Sequence, residues 1–385
     1  MDIRDLTAGD LEAVLDNRRR AFGPVPEGDL ESWREGMLAQ LPQGRCLGVF
    51  DGPRLVASAR IGEFRQWWHG RPVSMGGVGG VAVMPEERGR GVGGMLMRAV
   101  IERCAELGHS TSVLFPATTP IYRGVGYEHA GGHYVATLSA EALRGLGAPG
   151  EPVKLRRLGP DDAPEVMAIV ERVYAAGRAS GPICWNEQVW RHWLGEKDDL
   201  IYGTDDGFVI YRWDGDDIDV DNLVAGSEAT ARALWSLVGT ASSVAKSVRA
   251  CIAPDDPMLW MLRERSREDW RHIRWMLRLI DVPAAVAGRG FPAGVALDTL
   301  LTVDDPERPA NSGTWRLRVE GGEGALTRAA GGEGPRLSIG ALSALYAGVP
   351  AVVLRRSGLM TGGDPGADEA LESAFAGTAY MVDYF

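Results

Sequence analysis

At roughly 100–200 residues per domain, a chain of 385 residues predicts two or three domains, so size does not limit the core. Hydrophobic residues make up 45% and charged residues 24%, and no uninterrupted apolar run approaches the ~20 residues of a membrane helix, which excludes a membrane-spanning chain. The net charge of −11 argues against non-specific nucleic-acid binding, and the acids Asp2 and Asp5, where a secretory signal would carry bases, lead us to expect a cytoplasmic protein.

Charge is uneven along the chain. Residues 1–150 carry a net −1 and residues 151–385 a net −10, so a polyanionic ligand is expected on the first 150 residues. Cys46, Cys104, Cys184 and Cys251 form neither a CxxC pair nor a disulfide framework and are expected as core thiols. His109, His129 and His133 have no further ligands nearby; they are expected to be structural, and no metal site is expected.

Ile3-Arg4-Asp5-Leu6, followed by Asp10 and Val14, reads as a short strand, a turn and an acid that caps the next helix. The small apolar strand Val78-Gly79-Gly80-Val81-Ala82-Val83 then runs through Met84-Pro85-Glu86-Glu87 into Arg88-Gly89-Arg90-Gly91-Val92-Gly93-Gly94 and a helical stretch from Met95 to Leu107. Strand, glycine turn and helix stand in the order an anion cradle requires: glycines let backbone N–H groups converge, and the helix N-terminus adds about half a positive charge. The loop is not a Walker loop, because no Lys-Ser or Lys-Thr follows, and its spacing departs from the dinucleotide G-x-G-x-x-G. Arg88, Gly91 and Gly93 instead match the R/Q-x-x-G-x-G/A signature, and the chain resembles the GNAT superfamily of N-acetyltransferases.

That resemblance implies acetyl-CoA as donor, with its pyrophosphate on the amides of Arg88, Gly89, Arg90, Gly91, Val92, Gly93 and Gly94. The pantetheine arm would pair along Val81, Ala82 and Val83, whose N–H groups are also candidate donors to the thioester carbonyl. Downstream, Thr119 to Tyr127 resembles the segment that closes many GNAT sites, which puts Tyr122 and Arg123 beside the donor and makes Tyr127 the candidate general acid, or else a packing aromatic after a turn. A tyrosine of pKa ~10 protonating a thiolate of pKa ~8.5 works only about 2 kcal/mol uphill.

Leu143 to Pro152, rich in Gly, Ala and Pro, reads as a linker. The opening pattern then returns 152 positions on, as Leu155-Arg156-Arg157-Leu158 with Asp162 and Val166, which predicts a duplication. In the second copy the donor loop is missing: Asp219 to Ser227 has no Arg-x-x-Gly-x-Gly, and Asp205, Asp206, Asp214, Asp216, Asp217, Asp219 and Asp221 crowd the region. These acids read as solvated loops or as an attraction for cationic substrates, and this copy should not bind the donor. A second break falls at Val282-Pro283, and beyond it Trp315 to Val319 alternates as a strand, Gly321 to Gly324 and Gly331 to Gly334 read as turns, and Ile339 to Tyr346 and Asp368 to Phe375 have helical spacing.

A donor motif, a degenerate copy and a third domain with an aromatic end together resemble the Eis (enhanced intracellular survival) family. The fold class implied is α+β, with mixed α/β tandem GNAT domains over 1–146 and 147–283 and a sterol-carrier-protein-like domain over 284–385. Family resemblance assigns the base to the terminal carboxylate, here that of Phe385, unless the ending is an ordinary tucked-in tail. Direct proton transfer from an ammonium to a carboxylate of ordinary pKa would cost about 9 kcal/mol, so burial or attack concurrent with proton loss has to lower that demand. Phe22 and Trp33 align with aromatic pocket residues of the family, where they would receive an ammonium by cation–π attraction or simply pack. The acceptor implied is a multiply aminated, polyamine-like small molecule such as an aminoglycoside, or lysine side chains, and the assembly implied is a homo-oligomer, a hexamer in that family. The alternatives are a tandem-GNAT acetyltransferase of thiol biosynthesis and a non-catalytic ligand-binding sensor using the third domain.

Overall fold

The structure, a computed structural model, describes residues 1–147, 150, 152–263 and 269–385. The first part of the chain forms β1 (Asp2–Asp5), α1 (Leu11–Phe22), α2 (Leu30–Gln40), β2 (Cys46–Asp51), β3 (Arg54–Trp68), β4 (Arg71–Val83), α3 (Val92–Glu106), β5 (Thr111–Leu114), α4 (Thr119–Arg123), β6 (Glu128–Ser139) and α5 (Ala140–Arg144). Next come β7 (Arg156–Arg157), α6 (Ala163–Ala176), β8 (Ile183–Cys184), α7 (Glu187–Trp193), β9 (Leu200–Thr204), β10 (Gly207–Asp214), β11 (Asp217–Ala225), α8 (Glu228–Gly239), β12 (Ser247–Cys251) and β13 (Asp269–Leu279). The last part holds α9 (Val282–Gly288), β14 (Leu297–Asp304), β15 (Gly313–Glu320), β16 (Glu323–Arg328), β17 (Arg336–Ser338), α10 (Ile339–Tyr346), α11 (Ala351–Arg356), β18 (Met360–Thr361) and α12 (Asp368–Phe375). Of the linker expected over Leu143 to Pro152, residues 148, 149 and 151 lie outside the described residues.

The duplication is visible in side chains. Arg4 pairs with Asp10 at 2.9 Å and Arg156 with Asp162 at 2.8 Å. Each acid also accepts from a backbone amide three residues earlier, Thr7 or Gly159, both at 2.8 Å. The acids therefore close a single tight turn ahead of α1 and α6, where the sequence had suggested caps of the helices themselves. Each half also contains one parallel strand pair joined by a crossover helix, β4 with β5 across α3 and β11 with β12 across α8.

The sheet does not divide where the sequence does. Its order is β1-β2-β3-β4-β5-β13-β6-β12-β11-β10-β9-β7, with β8 beside β3. Thus β13, from the second half, enters between β5 and β6 of the first, while β6 pairs with β12 of the second. Neither half closes its own sheet, because each needs a strand from the other to satisfy backbone groups.

The third domain is a five-stranded sheet in the order β16-β15-β14-β17-β18 with helices packed on it. Trp315, Leu317 and Val319 turn inward from β15, and Gly321 and Gly322, at φ 60° and 86°, form the two-residue hairpin turn into β16. Its apolar core is continuous with that of β3, β4 and β13, where Trp68, Trp275 and Tyr346 are buried together. At this joint Arg278 of β13, fully buried, bonds to Asp305 at 2.7 Å and to the carbonyls of Val125 and Leu279.

Candidate active site

The site begins with a separation of strands. β4 and β5 pair in parallel from Met75–Thr111 to Gly77–Val113, and beyond Gly77 β4 continues to Val83 with β3 as its strand partner on one side and no further pairing to β5. Opposite Ala59 the β3 register shifts, and Gly80 adopts φ +61°, a conformation glycine reaches without a steric penalty, so a bulge at Gly80 and Val81 interrupts the ladder before Ala82 and Val83 pair again with Ser58 and Ala57. Asn17 of α1 donates to the hydroxyl of Ser58 (3.2 Å) and the carbonyl of Ala82 (3.3 Å), fixing the helix beside the bulge.

Past the bulge, Gly89 and Gly91 sit at φ +77° and +80°, and Gly91 is the N-terminal cap of α3 without a side chain to satisfy the first turn. The first amides of the helix have no partner within it and face a positive helix end. By contrast, Ser227 caps α8 by accepting from the amide of Thr230 at 3.3 Å, so the second copy has lost both the loop and the free amide. Arg90 is held at 2.6 Å by buried Glu87, which also bonds to Arg54, while Arg88 stays exposed with a 3.4 Å bond to the carbonyl of Val83. The Arg54 hydrogen bond, with Arg90 nearby, holds the Glu87 carboxyl below its ordinary range despite burial. Gly93 packs closely under α4, where a Cβ would fall 2.5 Å from Ile121 Cδ1.

Next to the separated strand lies a cavity of about 530 Å³, whose wall includes Val81, Tyr122, Phe22, Trp33 and Phe385, five of the residues singled out from the sequence. Tyr122, on α4, is 6% exposed, and among the described residues its hydroxyl makes no hydrogen bond. Burial raises its pKa. Tyr127 is elsewhere: it does not line the cavity, it is 1% exposed in the core under α3, and its hydroxyl lies 2.7 Å from that of Ser112. Burial pushes Tyr127 well above the ordinary tyrosine range. The general acid expected at Tyr127 therefore has no access to the cavity, because the turn at Gly124 and Gly126 directs the two tyrosines differently. Arg123 bonds to Glu128 at 2.7 Å and holds the turn from α4 into β6.

Phe385 reaches the cavity along a path prepared by glycines. Met381 donates to the carbonyl of Gly132 (2.9 Å) and Tyr380 to that of Ser180 (3.0 Å), so the tail threads between the two halves. A Cβ on Gly181 would lie 2.0 Å from the carbonyl oxygen of Tyr380, and one on Gly77 2.7 Å from the ring of Phe385. The Phe385 ring packs against Phe64 and Phe115, with centroids 4.9 and 5.8 Å away.

Sequence reasoning missed Phe115, Tyr384, Arg18 and Arg60, which also line the cavity. A signal existed for Arg60 alone, a charge inside the otherwise apolar run Leu55 to Ile61. His109 is structural: its Nε2 accepts from Arg45 at 3.1 Å, which leaves Nδ1–H to donate to Ser74 at 2.9 Å. Among the described residues no three His, Cys, Asp or Glu side chains are grouped to hold a metal, and no helix is long and apolar enough to cross a membrane.

A crystal structure of a GCN5-related N-acetyltransferase from Kribbella flavida matches with a TM-score of 0.96 and 44% identity, covering 100% of this chain and 98% of that one. The chain belongs to the GCN5-related N-acetyltransferases. Acetyltransferase (GNAT) domain models match residues 2–130 and 181–279, and a sterol carrier protein domain model matches residues 282–382. An uncharacterized N-acetyltransferase of Streptomyces avermitilis is 28% identical over 97% of both chains. The N-acetyltransferase Eis of Mycobacterium tuberculosis (strain H37Ra) is 27% identical over 73% of this chain and 72% of its own length, so the relation to Eis holds at the family level. This acetyltransferase carries two GNAT domains and a sterol-carrier-type domain. GNAT enzymes use acetyl-CoA, and the bulged strand, the free amides of α3 and the glycines at positive φ fit that molecule in the first half.

Proposed function

We propose that this acetyltransferase transfers an acetyl group from acetyl-CoA to a primary amine bound in the cavity beside Val81. The observation that supports it most is convergence: Val81 of the donor strand, Tyr122 after β5 and Phe385 from the far end of the chain line one cavity. The amides of Arg88 to Gly94 would hold the pyrophosphate, and the backbone of Val81, Ala82 and Val83 the pantetheine arm. Acetyl-CoA supplies an acetyl thioester, already activated toward an amine.

The chain's own groups handle the protons. The carboxylate of Phe385 takes the proton from the amine nitrogen, and the hydroxyl of Tyr122 holds the proton that the leaving sulfur needs. Tyr122 has this role in place of Tyr127 because its hydroxyl is unengaged and on the cavity wall. A polycationic acceptor such as an aminoglycoside has less support: among the described residues no Asp or Glu side chain lines the cavity.

Free-thiol release from acetyl-CoA over a panel of amines tests the reading. Acetyl-CoA at ~100 times its dissociation constant should stabilise the protein by about 2.7 kcal/mol. No stabilisation and no thiol release with any amine would sink it.

A further inference from the structure

Two arginines stand on the cavity wall, and among the described residues no Asp or Glu side chain lines it. The register shift between β3 and β4 lays Arg60 over Gly79 and Gly80: a Cβ on Gly79 would lie 3.2 Å from Arg60 Nε, and one on Gly80 3.8 Å from Arg60 Cγ. Glycine at both positions leaves room for the guanidinium along the strand. Arg18 reaches the same cavity from α1, with a single 3.1 Å bond to the carbonyl of Gly23. Among the described residues neither arginine makes an ion pair, and Arg60 makes no hydrogen bond.

This isolation is notable in a chain with 52 acids against 41 bases. Elsewhere acids and arginines find each other: Asp214 and Asp219 hold Arg249, Asp199 and Asp221 hold Arg212, and Asp298 holds Arg316 and Arg318. Several acids that the sequence suggested as an attraction for cations are thus neutralised at home. Arg60 is exposed to the cavity yet crowded enough that desolvation lowers its pKa, and Arg18 adds repulsion. Two like charges brought together on a concave wall raise each other's energy, and apart from the Phe385 carboxylate, which the proposed reaction uses as base, no acid lines the wall among the described residues, so a bound anion lowers that cost.

The donor's pyrophosphate is not that anion. Arg60 pairs with Gly79, four residues before Val83, and at ~3.3 Å per residue that is roughly 13 Å along β4 from the start of the phosphate loop. Arg60 therefore stands at the acceptor end. In the same cavity Phe22, Trp33, Phe115 and Tyr384 supply aromatic surface, and about 530 Å³ suits a single small molecule.

We infer that the acceptor is a small amine that also carries a carboxylate and an apolar or aromatic body, with the carboxylate held by Arg60 and Arg18. This rests on the acetyl transfer proposed above. A planar guanidinium meets a carboxylate with two parallel hydrogen bonds, which orients the acceptor as well as attracting it.

Matched pairs test this: phenylalanine against phenethylamine and tryptophan against tryptamine, with kanamycin and spermidine as polycations. Binding to the enzyme with coenzyme A is measured by calorimetry and acetyl transfer by thiol release. The carboxylated member of a pair should bind at least ~10-fold more tightly. Arg60→Gln should abolish that preference and Arg60→Lys retain part of it, with the acetyl-CoA thermal shift reporting that each variant is folded. Tighter binding of the decarboxylated amines or the polycations, failure of both amino acids to bind, or a preference unchanged in both Arg60→Gln and Arg18→Gln would overturn the inference. A calorimetric preference that depends on Arg60 without acetyl transfer to any amine would uphold the anion site and discard the transfer reaction instead.

Discussion

The hydroxyl of Tyr127 lies 2.7 Å from that of Ser112, and Ser112 donates in turn to the carbonyl of Gly76 at 3.0 Å. Since the one hydroxyl proton of Ser112 goes to Gly76, Tyr127 must donate to Ser112. Its proton is committed to the floor of the sheet. Tyr127→Phe is expected to cost about 1 kcal/mol of stability and leave turnover within about twofold, because Ser112 keeps its bond to Gly76. Tyr122→Phe should lower kcat by ~100-fold or more while acetyl-CoA still stabilises the protein. The opposite kinetic pattern would return the acid to Tyr127.

Residues appended after Phe385 bury or displace the group assigned as base. Such a protein should lose nearly all turnover while its urea midpoint and its response to acetyl-CoA stay close to those of the parent. Full activity with an appended tail would remove the terminal carboxylate from the mechanism.

Gly91→Ala places a Cβ on a residue at φ +80° in the phosphate loop. The strain of about 1–2 kcal/mol would shift the loop that aims the α3 amides. Acetyl-CoA should then bind more weakly, read as a smaller thermal shift at fixed ligand concentration. An undiminished shift would show that the loop does not hold the donor.

His109 makes stability sensitive to acid. Burial, with Arg45 beside it, lowers its pKa from the ordinary 6.5 to about 4. Between those values the unfolded chain takes up a proton that the folded one refuses, so stability is full above pH 6.5 and falls as the pH drops toward 4. The loss reaches roughly 3 kcal/mol at ~1.36 per unit. His109→Gln should flatten this part of the curve of urea midpoint against pH, and an unchanged slope would assign the acid sensitivity elsewhere.

The pair Arg278–Asp305 joins the third domain to β13 with both side chains fully buried. Asp305→Ala leaves a buried guanidinium without its counter-ion and should cost ~3–5 kcal/mol, whereas the apolar double variant Arg278→Met with Asp305→Leu should cost less. Denaturant unfolding of the three proteins orders them. A double variant worse than Asp305→Ala would contradict this account.

The glycine loop was readable in the sequence because its features are local: strand, positive-φ glycines and the first turn of α3 are contiguous, and the amides they leave free belong to the backbone. The hairpin at Gly321 and Gly322 was readable for the same reason. The duplication was readable through Arg4 and Asp10 and their counterparts Arg156 and Asp162, which keep their spacing because each pair closes the same turn.

Choosing between Tyr122 and Tyr127 required the direction in which each side chain leaves its turn, and five residues of sequence around two glycines leave that open. The isolation of Arg60 depends on a bulge in β4 and on a wall, assembled from distant segments, that among the described residues carries no Asp or Glu side chain. Residue order alone thus determined the glycine motif, its absence from the second copy and the three-part plan, each a short-range pattern repeated or missing. Tertiary structure decided which tyrosine reaches the cavity, the cavity itself and the charge within it, because β13 must cross into the first half and the tail must pass Gly132 and Gly181 before those side chains meet.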